Sequence, residues 1–434
     1  MAFYDKKVET MSRQEMEAVQ LLRLKKMVDY CIQNVPFYKK RLDDAGIKSS
    51  DCINQLSDIS LIPFTTKQDI IDNYPAGLVA VDKNRVVRIH ASSGTTGKPT
   101  IGYYTKRDME IWADASARVL CLNGIEKDDV FQISVGYGLF TGALGFHQGA
   151  EKIGCTIVPA STGNTQKQLV MMSDVGVTAL MATPSYATYL SDLIKQSNTK
   201  TKLKKVLLGA ERCTKSMRET IERNLGVRTA DNYGLTECFG PGVAGECSEQ
   251  CGMHISEDIF YPEIIDPATG EVLRDGEQGE LVFTSLLREG MPLLRYRTRD
   301  ITKLHHDRCK CGRTTVRMDA PFARTDDMFV FKGVNVFPSQ IECAIDGIDG
   351  LSPYYHIKLE RDGFKDTATL FVELSQPKDL FSEEQLNGIE NKLQHNLREI
   401  VIVRIKTKLV EPETLQRFTG KAKRVEDLRY SNEQ

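Results

Sequence analysis

The loop Ser92-Ser93-Gly94-Thr95-Thr96-Gly97-Lys98-Pro99-Thr100 carries the densest chemistry in the chain. Its two glycines allow a tight turn that brings backbone N–H groups close to an anion, and hydroxyls and one ammonium surround them. That set suits a polyphosphate. It is not a Walker loop, which has four residues between its glycines and a hydroxyl after its lysine to hold Mg²⁺. Here two residues separate Gly94 from Gly97, and Pro99 follows Lys98. The loop lies between the strand-like runs 86–90 and 101–104, so the phosphates would be held by a turn between two strands. On its own the segment reads equally well as an ordinary Ser/Thr/Gly-rich hairpin loop.

The elements that must position this loop are legible as periodicities. Ser12-Arg13-Gln14-Glu15 forms a capping box, followed by Leu21, Leu24, Val28 and Cys31 at helical spacing; Pro36 stops that helix or begins the next. From about residue 80 to 240, apolar runs (130–135, 155–158, 178–182, 205–208) alternate with helical patterns, which implies a largely parallel sheet covered by helices. The turn Asp275 to Gly279 precedes a strand at 280–284. Beyond Asp326 the β-like stretches 355–359, 368–374 and 401–410 flank an amphipathic helix over 382–395. They indicate a small α+β domain of roughly 100 residues. The expected fold is α/β: a large domain over residues 1–325 and a small mobile one over 326–434.

Composition bounds the function. The chain has 434 residues, 41% hydrophobic and 27% charged, with a net charge of −2. That balance gives no bulk attraction to nucleic acid or anionic membrane. No apolar run approaches the roughly 20 residues of a membrane span, and the polar start from Met1 to Thr10 has no signal core. Eleven scattered cysteines suit a reducing compartment. A cytoplasmic enzyme is the expectation, with a homodimer left open.

Further stations follow in a set order: Gly209-Ala210-Glu211, then Asp231-Asn232-Tyr233-Gly234-Leu235-Thr236-Glu237, Tyr296 to Asp300, Arg324-Thr325-Asp326-Asp327, and Gly420-Lys421. Singly, Asp300 beside Arg299 reads as a surface ion pair, Tyr233 as packing, and Lys421 with Lys423 and Arg424 as a solvated basic face. In this order, over nearly the whole chain, they resemble the adenylate-forming superfamily of acyl-CoA synthetases, luciferases and adenylation domains. The runs 136–142, 261–267 and 332–340 look like the phenylacetate–CoA ligase family within it.

That resemblance implies roles. The loop from Ser92 would hold the β- and γ-phosphates of ATP, Thr236 would donate to the α-phosphate and Glu237 would ligate Mg²⁺. Gly209, Ala210 and Glu211 would line the adenine pocket, with Tyr233 offering a flat face and Asp231 an acceptor. Asp300 and Arg324 would bind the ribose. Lys421 would be the mobile cation of the adenylation step, and Asp326 the hinge. Tyr137 and Phe140 would suit an aromatic acid, with CoA as the acceptor.

Cys309-Lys310-Cys311-Gly312 and Cys247 to His254 read as a structural zinc site. The resemblance implies Cys247, His254, Cys309 and Cys311 as the ligands, because relatives with the Cys-x-Cys-Gly pair also carry a Cys at 247 and a His at 254, with Cys251 as substitute and His305 and His306 as competitors; free thiols are the other reading. Three rival functions remain. One is an adenylating enzyme that serves a carrier protein or another acceptor. Another is a nicotinamide-dependent oxidoreductase, suggested by Gly136, Gly138 and Gly142, although the third glycine is displaced and no acidic residue follows at the usual distance. The last is a zinc module for nucleic acid, which the net charge and the lone Trp112 oppose.

Overall fold

Apolar runs alternating with amphipathic helices build the centre of the molecule. The computed structural model describes residues 3–92, 99–324, 329–331, 334–362, 365–401, 403–417 and 424–429, with backbone alone at 324, 330, 335, 362 and 365. Strands Thr156–Val158, Val130–Ile133, Ala179–Ala182, Lys205–Leu208 and Arg228–Leu235 lie side by side in parallel. The three central strands, Val130–Ile133, Ala179–Ala182 and Lys205–Leu208, are almost wholly buried, as expected for strands covered on both faces. The sheet continues antiparallel through Gly240–Glu246, Met253–Ile255, Arg317–Met318 and Leu304–His305, reaching nine strands. A second, antiparallel sheet contains Phe260–Ile265, Gly279–Ser285, Tyr296–Thr302 and Ala323–Arg324.

The first helices follow the sequence signals. Ser12 and Glu15 complete a capping box at the start of Arg13–Asn34, and Pro36 sits at the first turn of Pro36–Asp44. A helix over Lys106–Leu122, capped by Thr105 and Asp108, lies so deep that Trp112 has no exposed surface. Strands Val86–Ala91 and Ile101–Thr105 pair antiparallel as a separate two-stranded hairpin, and the loop from Ser92 joins them.

The C-terminal part has its own apolar core, drawn from residues 329–405. Its sheet runs Lys406–Val410, Lys365–Leu374, Leu351–Asp362 and Val425–Asp427. One expected boundary is corrected here. The run 401–410 reads as β-like, but Val401 ends the helix Glu383–Val401 and the strand begins at Lys406. Ile389, Leu393, Leu397 and Val401 recur every four residues and are all buried, so the helical stripe overrides the local β preference of Val401. The expected domain boundary at 325/326, the hinge residue Asp326, Lys421, and Ser93, Gly94, Thr95, Thr96, Gly97 and Lys98 fall outside the described residues. Among the described residues no helix is long and apolar enough to cross a membrane.

Candidate active site

In an open parallel sheet, ligands bind beyond the carboxyl ends of the strands. Strand Lys205–Leu208 ends at Gly209, where backbone comes very close to side chain. A Cβ on Gly209 would lie 2.3 Å from Nδ2 of Asn232, which donates to the carbonyl of Leu208 (2.6 Å). Ala210 follows at φ 69°, a left-handed conformation that costs an alanine roughly 1 kcal/mol. Glu211 then accepts from the backbone N–H (3.2 Å) and hydroxyl (2.6 Å) of Ser185, in the first turn of helix Pro184–Gln196. The three expected adenine-loop residues thus lie together at one strand end.

On the neighbouring strand, one oxygen of Asp231 is engaged by Arg218 (3.0 Å), which also reaches Glu246 (2.9 Å). Any adenine contact would therefore use the other oxygen. Burial pushes the Asp231 carboxyl up to about 7; Arg218 opposes the shift and Glu246 adds to it. Tyr233 donates its hydroxyl to Asp300 Oδ2 (2.5 Å), linking the two large sheets. Asp300 is the register partner of Arg324 across antiparallel strands, so the two expected ribose positions are adjacent.

Thr236 and Glu237 form a short turn between Arg228–Leu235 and Gly240–Glu246. Gly234, just before it, is required by space: a Cβ there would lie 2.0 Å from the carbonyl oxygen of Gly240. Three residues hold this turn: Tyr104 and Arg288, which sequence reasoning missed, and Tyr296, whose run it singled out without this role. Tyr104 donates to the carbonyl of Phe239 (2.8 Å) and lies 3.3 Å from that of Thr236. Tyr296 donates to the Glu237 carboxylate (3.3 Å). Arg288 donates to the carbonyl of Glu237 and lies over the rings of Tyr104 (4.9 Å) and Phe239 (5.1 Å). Arg288 is fully buried. No local motif marks it, because its role depends on a turn 51 positions away.

The segment after strand Val130–Ile133 carries the expected acyl-pocket residues. The Tyr137 hydroxyl is 3.0 Å from Nδ1 of His147, whose ring meets it edge-on. Leu139 and Phe140 are exposed. The carbonyl of Leu139 accepts from the N–H of Ala91 (2.9 Å), so this segment abuts the start of the Ser92 loop. Ser92 closes that loop's base through its N–H to the Thr100 carbonyl (2.9 Å), and its hydroxyl accepts from the Thr100 N–H (3.2 Å).

The expected zinc ligands converge. Ligand atoms of Cys247, His254, Cys309 and Cys311 all lie within 4.8 Å of one another. Cys247 and Cys309 sulfurs are 3.8 Å apart, close to the ~3.8 Å that a tetrahedral zinc imposes on two thiolates. Cys311 Sγ is 3.4 Å from Nε2 of His254, and the opposite ring nitrogen of His254 is 2.9 Å from the hydroxyl of Thr315. Cys251 lies 3.6 Å from Cys309 but also accepts from Arg317 (3.0 Å). His305 and His306 pair instead with Asp319 (2.7 Å) and Asp275 (3.2 Å).

Comparison with known proteins decides what this assembly is. Residues 16–286 match the AMP-binding enzyme family, and residues 333–429 its C-terminal domain. The phenylacetate-coenzyme A ligase of Aromatoleum evansii is 45% identical over 428 residues, covering 97% of this chain and 96% of that protein. That of Escherichia coli K12 is 43% identical, covering 97% of each. The chain belongs to the phenylacetate–CoA ligase family. Family members are AMP-forming acid–CoA ligases, so this enzyme uses ATP to make an acyl-adenylate and then the CoA thioester. A 2-hydroxyisobutyryl-CoA ligase, 26% identical, covers 99% of this chain and 93% of its own. It superposes with a TM-score of 0.91 in its postadenylation state. The score is 0.73 for its open conformation and 0.70 for its thioesterification state.

Two measurements follow. Arg288→Met keeps the length and removes the charge. A hydrogen bond from a charged group contributes about 1.5–3 kcal/mol, so if that is realised in the transition state adenylation should slow by about 10- to 100-fold. Normal pyrophosphate release by a normally melting variant would remove Arg288 from the working site. At Asp231 the folded-state pKa lies above the unfolded ~3.9. Its contribution to stability is therefore complete below about pH 4 and is lost as pH rises through about 7. Thermal melts from pH 4 to 8 should show a smaller decline for Asp231→Asn; parallel curves would contradict the shift.

Proposed function

We propose that the acid is phenylacetate or a close aryl analogue. The observation that carries this is the near-full-length similarity to the two named ligases, each a phenylacetate-coenzyme A ligase. The setting of Tyr137 and Phe140 beside the base of the Ser92 loop supports it, since an aryl ring there would place its carboxylate toward the phosphates.

The chemistry asks for positioning and charge stabilisation more than covalent work. A carboxylate oxygen attacks the α-phosphorus and pyrophosphate leaves. The sulfur of CoA then attacks the acyl carbon and AMP leaves. Ser92 to Lys98 hold the β- and γ-phosphates in this reading, and Thr236 donates to the α-phosphate. Gly209 to Glu211, Tyr233 and Asp231 surround the adenine, while Asp300 and Arg324 take the ribose hydroxyls. Lys421 stabilises the α-phosphate during adenylation, and rotation about Asp326 withdraws it before CoA attacks. The Glu237 carboxylate, a hard oxygen donor, fits Mg²⁺, which when bound neutralises phosphate charge. A panel of carboxylic acids with ATP, with and without CoA, tests the substrate. Phenylacetate should give AMP and pyrophosphate at the highest kcat/KM; a preference for an aliphatic acid would overturn the aryl reading.

We further propose that Cys247, His254, Cys309 and Cys311 hold a structural zinc. Four protein ligands leave no position for a water, so the ion's contribution is to stability. Protein purified without added zinc should contain close to one zinc per chain, and Cys309→Ser/Cys311→Ser should lose it and melt lower with activity affected second. Less than about a tenth of a zinc per chain, far short of the one that four ligands imply, would leave only free thiols.

A further inference from the structure

The loop that ends strand Lys205–Leu208 does not stop at the adenine residues. Arg212, immediately after Glu211, reaches the small domain. Its guanidinium donates to the carbonyl of Ser339 (3.1 Å), lies 3.5 Å from the Glu342 carboxylate and contacts the sulfur of Cys343 (3.6 Å). All three acceptors belong to one helix, Pro338–Ile345. Glu342 also accepts from the hydroxyl of Tyr355 (2.9 Å), and the Tyr355 ring lies under the guanidinium of Arg424 (4.8 Å).

A parallel path starts one residue earlier. Glu211 grips Ser185. The carbonyl of Ser185 faces the hydroxyl of Tyr354 at 3.5 Å. The Tyr354 ring lies under Arg417 (3.6 Å), which makes two hydrogen bonds (2.8 and 2.7 Å) to the buried carboxylate of Glu373. Adjacent residues of the nucleotide loop thus lead, through the adjacent tyrosines 354 and 355, to Arg417 and Arg424. Those two arginines flank the stretch that contains Lys421 in sequence.

We propose that Arg212 is a positioning residue for adenylation. By gripping helix Pro338–Ile345 it couples the adenine loop to the arms that bracket Lys421. This rests on the reading of Lys421 as the adenylation cation. It requires no contact between Arg212 and ATP, and it ties order in the adenine loop to placement of the small domain. Nη1 serves the Ser339 carbonyl and the Glu342 carboxylate while Nη2 reaches the Cys343 sulfur, a spread of contacts that the point charge of a lysine matches only in part.

The experiment measures the two half-reactions separately, with phenylacetate as the acid, or the best acid of the panel if phenylacetate is inactive. Pyrophosphate–ATP exchange reports adenylation, and thioester formation from preformed acyl-adenylate reports the second step. Arg212→Gln should lower the exchange kcat by about tenfold, as loss of one charge-assisted contact implies. KM for ATP and the thioester rate should each stay within about twofold, since neither uses this contact. Arg212→Lys should recover part of the loss. Tyr355→Phe, which keeps the ring under Arg424 and removes the hydroxyl on Glu342, should show a smaller loss in the same half-reaction. Equal losses in both half-reactions at unchanged melting temperature, or a rise in KM for ATP alone, would overturn the proposal. Lys421→Ala separates the two readings. If it slows both half-reactions equally, the role of Lys421 fails. If it stops exchange while Arg212→Gln does not slow it, only the role of Arg212 fails.

Discussion

A buried guanidinium under a three-residue turn sets the geometry of this enzyme's centre. Arg288 lies over the rings of Tyr104 and Phe239 and donates to the carbonyl of Glu237. A buried cation without compensation is strongly unfavourable, so the turn and the arginine constrain each other. Phe239 is held at φ 72°, a conformation seldom adopted by an aromatic residue, and Tyr104 satisfies its carbonyl. From this fixed point the strand runs back through Gly234 to Tyr233, which reaches across to Asp300. Thr236, Glu237, Tyr233 and Asp300 thereby share one rigid origin.

Much of this was legible in the sequence, and the reason is local. Turns, caps and parallel strands are written in neighbouring residues: Ser12 with Glu15, Pro36, and the apolar run Lys205–Leu208 all appear where expected. The four zinc candidates do converge, although Cys-x-Cys is a weak signal by itself and the set comes from the family resemblance. Arg288, Tyr104, Arg218 and His147 were not legible. Each acts on a partner brought close only by folding, and nothing in its own neighbourhood marks it. Val401 failed for a related reason: the stripe that makes it helical extends back to Ile389, outside the run 401–410 that looked like a strand.

The cysteine cluster sits at a structural crossroads. Cys247 follows strand Gly240–Glu246, His254 lies on Met253–Ile255, and Cys309 and Cys311 follow Leu304–His305. Arg313, just beyond, forms a fully buried pair with Glu9 (2.5 Å), and the Thr314 N–H donates to the carbonyl of the same residue (3.1 Å). The short helix Lys6–Glu9 is thus fastened to the knuckle, and any ion there would brace the edge of the nine-stranded sheet together with that helix.

The small domain keeps its apolar residues to itself. Its core is drawn from residues 329–405, while the contacts described across to the large domain are polar: Arg212 to helix Pro338–Ile345, the Ser216 N–H to Asp346, and Tyr354 to Ser185. Greasy surfaces that part must be wetted at a cost that grows with area. Hydrogen-bonded surfaces that part trade one partner for another, and water is an acceptable substitute at about 0.5–1.5 kcal/mol per bond. A seam of this kind behaves less like glue than like a row of press studs. It holds one register firmly and releases without exposing the core of either half.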